Sequence, residues 1–257
     1  MTRYSENKVA LVTGAGRAIG IGTAVCRRLA ADGFDIAFTH FLAYDRKMYD
    51  SPTDGPAVLT AELEALGTRV FATEVDLSQP ECAAPLFDSV EAALGPVDVL
   101  VNNAAHSMHD NWETLTEESW DKHLNTNARA TAMLTVEFAR RFTRGAGGRV
   151  INFSSGQHLG PMPDELAYIS SKGAIIAFSS SIAVDLAKKG ITVNVINPGP
   201  TDTGYMNDEL KAHLLVHFPM GRIGQPDDVA QLVSWLASTE SVWVTGQVIN
   251  SEGGFWR

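Results

Sequence analysis

The sequence predicts a doubly wound α/β fold, and three observations predict it. Short apolar runs rich in β-branched residues recur between longer helical segments. A glycine-rich turn follows the first run and opens a helix. The length, 257 residues, suits one such domain without a second. Seven strands interleaved with helices imply a mostly parallel sheet covered on both faces, with right-handed crossovers.

The elements follow in order along the chain. Residues 8–13 form a short apolar run stopped by Gly14, which reads as a buried strand. Residues 19–32 read as a helix ended near Gly33, and 34–39 as a second strand. Residues 55–66 read as a helix with Gly67 as its C-cap. A third strand at 69–75, a helix at 80–94 closed by Gly95-Pro96 and a fourth strand at 97–101 come next. Then come a long helical stretch at 117–143, a strand at 149–154, a helix at 165–188 and a strand at 191–196. Helices at 206–217 and 226–238 and a last strand at 248–251 complete the order. No domain boundary, repeat or low-complexity tract is evident.

Composition narrows the partners. Twenty basic and 30 acidic residues give a net charge of −10, which disfavours non-specific binding to nucleic acid or an anionic membrane. The two cysteines, Cys26 and Cys82, both fall in expected helices and form no ligand-spaced cluster, against a disulfide scaffold or a cysteine zinc site. Residues 1–8 lack the apolar stretch of a signal peptide, and no run is long and apolar enough to predict a membrane span. The expectation is a cytoplasmic protein.

The turn reads Thr13-Gly14-Ala15-Gly16-Arg17-Ala18-Ile19-Gly20-Ile21-Gly22. Following a strand and opening a helix, it suits a pyrophosphate: glycine admits close backbone approach, and the helix N-terminus offers free N–H groups. Farther along, Tyr168-Ile-Ser-Ser-Lys172 sets a tyrosine and a lysine four apart on one helix face. A nearby ammonium favours the phenolate and lowers a phenol's pKa, so Lys172 is expected to tune Tyr168 as a general acid or base.

With these motifs the chain resembles the classical short-chain dehydrogenase/reductase family over essentially its whole length, most closely in general pattern the 3-oxoacyl-(acyl-carrier-protein) reductases. The resemblance implies a Rossmann fold and a hydride-transferring oxidoreductase working without a metal. It assigns Gly14, Ala18 and Gly20 to the phosphate turn, Ala18 standing where the family has a second glycine, with Ile19 beside them; Gly16 and Gly22 are out of register for those roles. Asp76-Leu77 falls where the family's acid meets the adenine. Asn102-Asn103-Ala104-Ala105 stands for the family's Asn-Asn-Ala-Gly, with Asn102 and Ala104 as cofactor contacts. Pro198-Gly199 with Thr203 matches the segment that holds the nicotinamide.

The resemblance also completes a catalytic set. Ser155 holds the carbonyl oxygen with Tyr168, while Ser154 is out of register. Lys172 contacts the nicotinamide ribose. Asn127, in the long central helix, helps hold a water in a proton relay, and Asn125 is its decoy two positions away. An NAD enzyme usually carries an acid after the second strand. Here that position is His40, between Thr39 and Phe41, and Arg17 sits where NADP-dependent relatives place an arginine against the 2′-phosphate. NADP(H) is therefore favoured over NAD(H). Residues 41–55, the longest connection without a period in the first half, carry Tyr44, Asp45, Arg46, Lys47, Met48 and Tyr49 near the expected ribose. Such a loop often has a function, with surface variation as the other reading, and Asp45 serves the ribose if it folds back.

Segments 105–112, 156–166 and 200–219 are expected to build the substrate pocket, the last as a lid whose inner face is Met206, Leu210, Leu214 and Phe218. His106, Gln157 and His158 would add polar contacts, for a ketone or secondary alcohol with an apolar portion. His213 and His217 are the only histidines at a helical ligand spacing, and they read as surface or substrate-side rather than zinc-binding. The acidic surface weighs against an acyl-carrier-bound substrate. Small residues on the helices at 117–143 and 165–188, among them Ala128, Ala132, Ala174 and Ala177, fit the family's subunit pairing in a homotetramer or homodimer. The rivals are an NAD-dependent alcohol or sugar dehydrogenase and a non-catalytic nucleotide-binding regulatory protein. No Gly-x-Ser-x-Gly elbow supports a serine hydrolase.

Overall fold

The computed structural model describes residues 8–49 and 54–257. Seven strands pair in the order β3-β2-β1-β4-β5-β6-β7, all parallel. They are β1 (Val9–Val12), β2 (Asp35–His40), β3 (Val70–Glu74), β4 (Val97–Asn102), β5 (Gly148–Phe153), β6 (Ile191–Asn197) and β7 (Val248–Asn250). Among the described residues nine α-helices accompany them: α1 (Ile21–Ala31), α2 (Leu42–Tyr49), α3 (Gly55–Glu64), α4 (Ala83–Leu94), α5 (Glu117–His123), α6 (Ala130–Arg141), α7 (Leu166–Ala187), α8 (Asp208–Leu215) and α9 (Pro226–Ala237).

Alternation along the strands builds two cores. Ala10 and Val12 face α1, α3 and α9, with Phe34, Phe38, Leu59 and Val233. Val9 and Leu11 face α4, α6 and α7, with Phe87, Leu134, Phe138 and Leu186. The strands are thus apolar on both sides, as parallel strands between helical layers must be. Because the chain runs outward from β1 to β3 and then returns to β4 on the other side of β1, a crevice opens between the carboxyl ends of β1 and β4. Open α/β sheets bind ligands there.

Four sequence expectations change. The connection at 41–55 contains a helix, α2, and its residues 50–53 lie outside the described residues, as does nearly all of the polar start at 1–8. The stretch at 117–143 is not one helix: a π-helical turn, Leu124–Arg129, separates α5 from α6. Cys82 stands at the N-cap of α4 rather than inside a helix. Helix α7 is long and apolar enough in composition to cross a membrane, yet it lies on the sheet with Ile175, Ser179 and Ala183 buried.

Candidate active site

The phosphate turn is shaped by contacts that only glycine allows. Gly14 has φ +72°, and a Cβ there would lie 2.6 Å from the Ala104 Cα. A Cβ on Gly22 would run into the Gly14 carbonyl and the Asn103 amide. Gly22, out of register in the family pattern, is therefore required by close packing of α1 on the turn, a role its spacing did not reveal. Helix α1 starts with Gly20 at its N-cap, no capping side chain and no acid in its first turn. Its leading N–H groups are left to an anion, so the residues present fit a pyrophosphate.

The neighbouring asparagines divide the work differently from the expectation. Asn102 Nδ2 donates to Asn152 Oδ1 (2.8 Å) and Thr135 Oγ1 (3.3 Å), so this buried side chain ties β4 to β5 and α6. Asn103 Nδ2 instead donates to the carbonyls of Thr13 (2.9 Å) and Gly14 (2.8 Å). The reason is register: consecutive residues at a strand end point to opposite faces, and it is Asn103 that braces the turn. Asp76 accepts from Ser78 N, Ser78 Oγ and Gln79 Nε2. Burial alone would raise its pKa, but these bonds outweigh burial and hold it below the usual carboxylate range. Leu77 is buried beside it.

At the ribose end, His40 closes β2 with a buried Nδ1 that has no partner among the described residues. Burial lowers its pKa, against the opposing pull of Glu74. Arg17 is not a free cation on the surface. Its Nε lies 3.8 Å from Asp45, its guanidinium sits 3.6 Å above the Tyr49 ring, and NH1 donates to the Thr203 carbonyl at 3.2 Å. Ala18 and Ile19 are exposed beside it. Gly199, φ +62°, turns the chain after β6 and donates its N–H to Asn197 Oδ1 at 3.0 Å, with Pro198 before it.

The candidate catalytic residues gather beyond the carboxyl ends of β4 and β5. Ser155 follows β5, and Tyr168 and Lys172 lie on α7 one turn apart. Burial raises the Tyr168 phenol, the nearby Glu165 adds to this, and a hydrogen bond with the Ser155 side chain lowers it. Lys172 is anchored at the end of β5 as well as standing beside Tyr168. Its Nζ donates to the Phe153 carbonyl at 3.0 Å and stands 5.6 Å from the centre of the Tyr168 ring. Burial dominates both groups. The Lys172 ammonium is itself pushed down to about 8 by burial. Ser154 is buried; its Oγ donates to the Ser155 carbonyl at 3.5 Å and its N–H to the Ile196 carbonyl at 2.9 Å.

Asn127 is fully buried in the π-helical turn. Its Oδ1 accepts from His106 N (2.7 Å), and its Nδ2 donates to the His106 carbonyl and to Ser171 Oγ, both at 2.9 Å. The side chain is thus a clamp between the segment after β4 and α7. Asn125 is half-buried in the same turn. Sequence reasoning missed His123, which is fully buried with its ring 6.4 Å from Tyr168. His123 Nε2 accepts from Met108 N at 3.1 Å, and Nδ1 faces the Ser119 carbonyl at 2.7 Å. These partners fix a neutral tautomer with the proton on Nδ1. The edge of His106 meets the same ring at 4.6 Å.

On the substrate side, Asp110 joins segment 105–112 to the start of α7: its N–H donates to the Asp164 carbonyl, and its Oδ1 accepts from Ala167 N. Ser155 N donates to Gln157 Oε1 at 3.2 Å. Met206 and Phe218 are buried and Leu210 and Leu214 half-buried. The His213 and His217 rings are 5.9 Å apart, and the His217 ring lies 4.5 Å from Trp256, tilted by 55°.

A family model described as enoyl-(acyl carrier protein) reductase matches residues 14–256. The uncharacterized oxidoreductase YjdA of Bacillus subtilis (strain 168) is 47% identical over 256 residues, covering 99% of each chain. The 3-oxoacyl-[acyl-carrier-protein] reductase FabG of Staphylococcus aureus (strain Mu50 / ATCC 700699) is 31% identical, with 97% of this chain and 98% of that protein covered. Among solved structures, a blue fluorescent protein from a metagenomic library in complex with NADPH superposes with a TM-score of 0.87 at 34% identity, covering 98% of this chain and 99% of that one.

Proposed function

Because the chain belongs to the classical short-chain dehydrogenase/reductase family and is an oxidoreductase, we propose that it uses NADP(H) to interconvert a ketone and a secondary alcohol. The observation that carries this reading is the Ser155–Tyr168 hydrogen bond, set one helical turn from a buried lysine, in a chain whose α1 start is left uncapped. The nicotinamide, when bound, supplies or accepts the hydride. Gly14, Ala18, Ile19 and Gly20 would hold its pyrophosphate, and Pro198, Gly199 and Thr203 would line the nicotinamide end. His40, Asp76, Leu77 and Ala104 would line the adenosine half.

The chain's own groups then handle the oxygen and the proton. Ser155 Oγ donates to the substrate oxygen and stabilises the charge that builds there. Tyr168 gives its proton to that oxygen in reduction and takes it back in oxidation. A phenol raised by burial is a weak acid on its own, and the Lys172 ammonium one helical turn away, charged below about pH 8, would favour the phenolate. Asn127 holds the His106 segment and α7 in register for this transfer. Segment 200–219 would act as the substrate lid, over a ketone with an apolar portion, as in 3-oxoacyl reductases.

The NADPH complex of the metagenomic relative supports the cofactor, as does Arg17 at the ribose end. A second reading, an NAD(H)-dependent alcohol or sugar dehydrogenase, is favoured by one observation: α2 folds back and brings Asp45 to Arg17. Exposed Ala174, Ala177 and Ser180 on α7 offer a face for pairing with a second copy, in a tetramer or dimer. The test is a ketone panel with NADPH on wild type and Tyr168→Phe. Reduction by wild type and its loss in the variant support the reading; equal rates in both refute it.

A further inference from the structure

Helix α2 lies at the ribose end of the crevice and reaches the segment that follows β4. It begins directly after β2, at the ribose end, where Leu42 N donates to Glu74 Oε1 at 3.0 Å. Tyr44 Oη accepts from Ser107 N at 3.1 Å, and its ring lies 5.4 Å from His106, both beyond the end of β4. Tyr49 packs edge-on against Tyr44 and lies beneath Arg17. No residue of α2 is buried. The helix is therefore held by a few polar and aromatic contacts rather than by a core, and elements of that kind open at low cost.

Arg17 is the centre of those contacts. One guanidinium reaches from the phosphate turn to Asp45 and Tyr49 on α2 and to Thr203 after β6. The Arg17 and Asp45 side chains are each only 19% exposed, so little water screens the pair. A phosphate brought to this guanidinium meets the Asp45 carboxylate already on it, and two anions on one half-buried cation repel. We propose that α2 is a cofactor lid latched by Arg17 and that Asp45 makes the latch selective: the 2′-phosphate of NADP(H) takes the guanidinium from Asp45 and frees α2, whereas NAD(H) leaves the pair closed. The inference rests on the reading of Arg17 as the 2′-phosphate ligand.

The same arrangement gives Asp45 a defined effect on specificity. It is a competitor for Arg17 that only a phosphorylated ribose has to displace. Removing its charge helps NADP(H) and leaves NAD(H) nearly where it was. Adenosine 2′-phosphate alone should open the lid, and adenosine 5′-phosphate should not.

Hydrogen exchange over α2 in the wild-type protein, with saturating NADPH, NADH, adenosine 2′-phosphate or adenosine 5′-phosphate, reads the latch directly. Exposed Arg46 and Lys47 give trypsin a second readout. NADPH and adenosine 2′-phosphate are expected to speed exchange and cleavage in α2, and the other two to leave them unchanged. Nicotinamide fluorescence then gives the affinities of Asp45→Asn, expected to bind NADPH about tenfold tighter and NADH within about twofold of wild type. Protection of α2 by NADPH, or an equal shift of both cofactors in Asp45→Asn, overturns the latch while leaving the NADP(H) reading intact. A wild-type preference for NADH overturns that reading and the latch with it.

Discussion

Replacing Asn127 by alanine separates a clamp from a catalytic group. The substitution removes the partners of the His106 N–H and carbonyl and one partner of Ser171 Oγ. Ser171 keeps its bond to the Tyr168 carbonyl, so the loss falls on the two main-chain groups of His106. A buried polar group left without its partner costs about 1–3 kcal/mol. His106 is half-buried and water recovers part of that, so the sum is about 2–4 kcal/mol. For a domain of this size each kcal/mol moves Tm by roughly 2–4 °C, which puts the fall at ~5–15 °C. The assay is thermal unfolding of wild type and Asn127→Ala at one protein concentration, because association shifts apparent stability. A change under about 0.5 kcal/mol together with a large loss of turnover would refute the clamp and return Asn127 to direct catalysis.

Three other outcomes follow from the same geometry. Tyr168→Phe is expected to lower kcat for ketone reduction by about 10²–10⁴-fold with NADPH affinity unchanged, checked by steady-state kinetics and cofactor titration. Lys172, held at about 8 by burial, is cationic below that pH and neutral above it, so kcat/KM for reduction should fall above about pH 8. In the same window the native chain gives up this proton while the unfolded chain, at the ordinary lysine value of 10.5, keeps it. Stability from this group therefore rises with pH between those values, and urea unfolding of wild type against Lys172→Met should show that rise only in wild type. Gly22→Ala forces a methyl into the Gly14 carbonyl and the Asn103 amide. It should weaken both nicotinamide cofactors by at least about tenfold in a fluorescence titration, and unchanged affinity would contradict the packing role.

What the sequence made legible was local and periodic. The strand-turn-helix around Gly14 and the Tyr168–Lys172 spacing are written in consecutive residues, and the structure places them as read. Three features were not legible, each for a physical reason. Helix α2 has no fully buried residue, and its half-buried face sets Asp45 among Leu42, Tyr44, Met48 and Tyr49, so the apolar stripe that marks a core helix is weak. The π-helical turn at Leu124–Arg129 continues a helical pattern in sequence, and its only signature is the tertiary clamp of Asn127 on His106 and Ser171. Asn102 and Asn103 are identical in type and adjacent, and only the register at the end of β4 sends one into the sheet and the other to the turn.

The most direct test of the central claim is titration of NADPH and of NADH into the purified protein, followed by nicotinamide fluorescence. The account predicts binding of both at the α1 turn with NADPH clearly tighter. Tighter binding of NADH, or binding of neither, would contradict it.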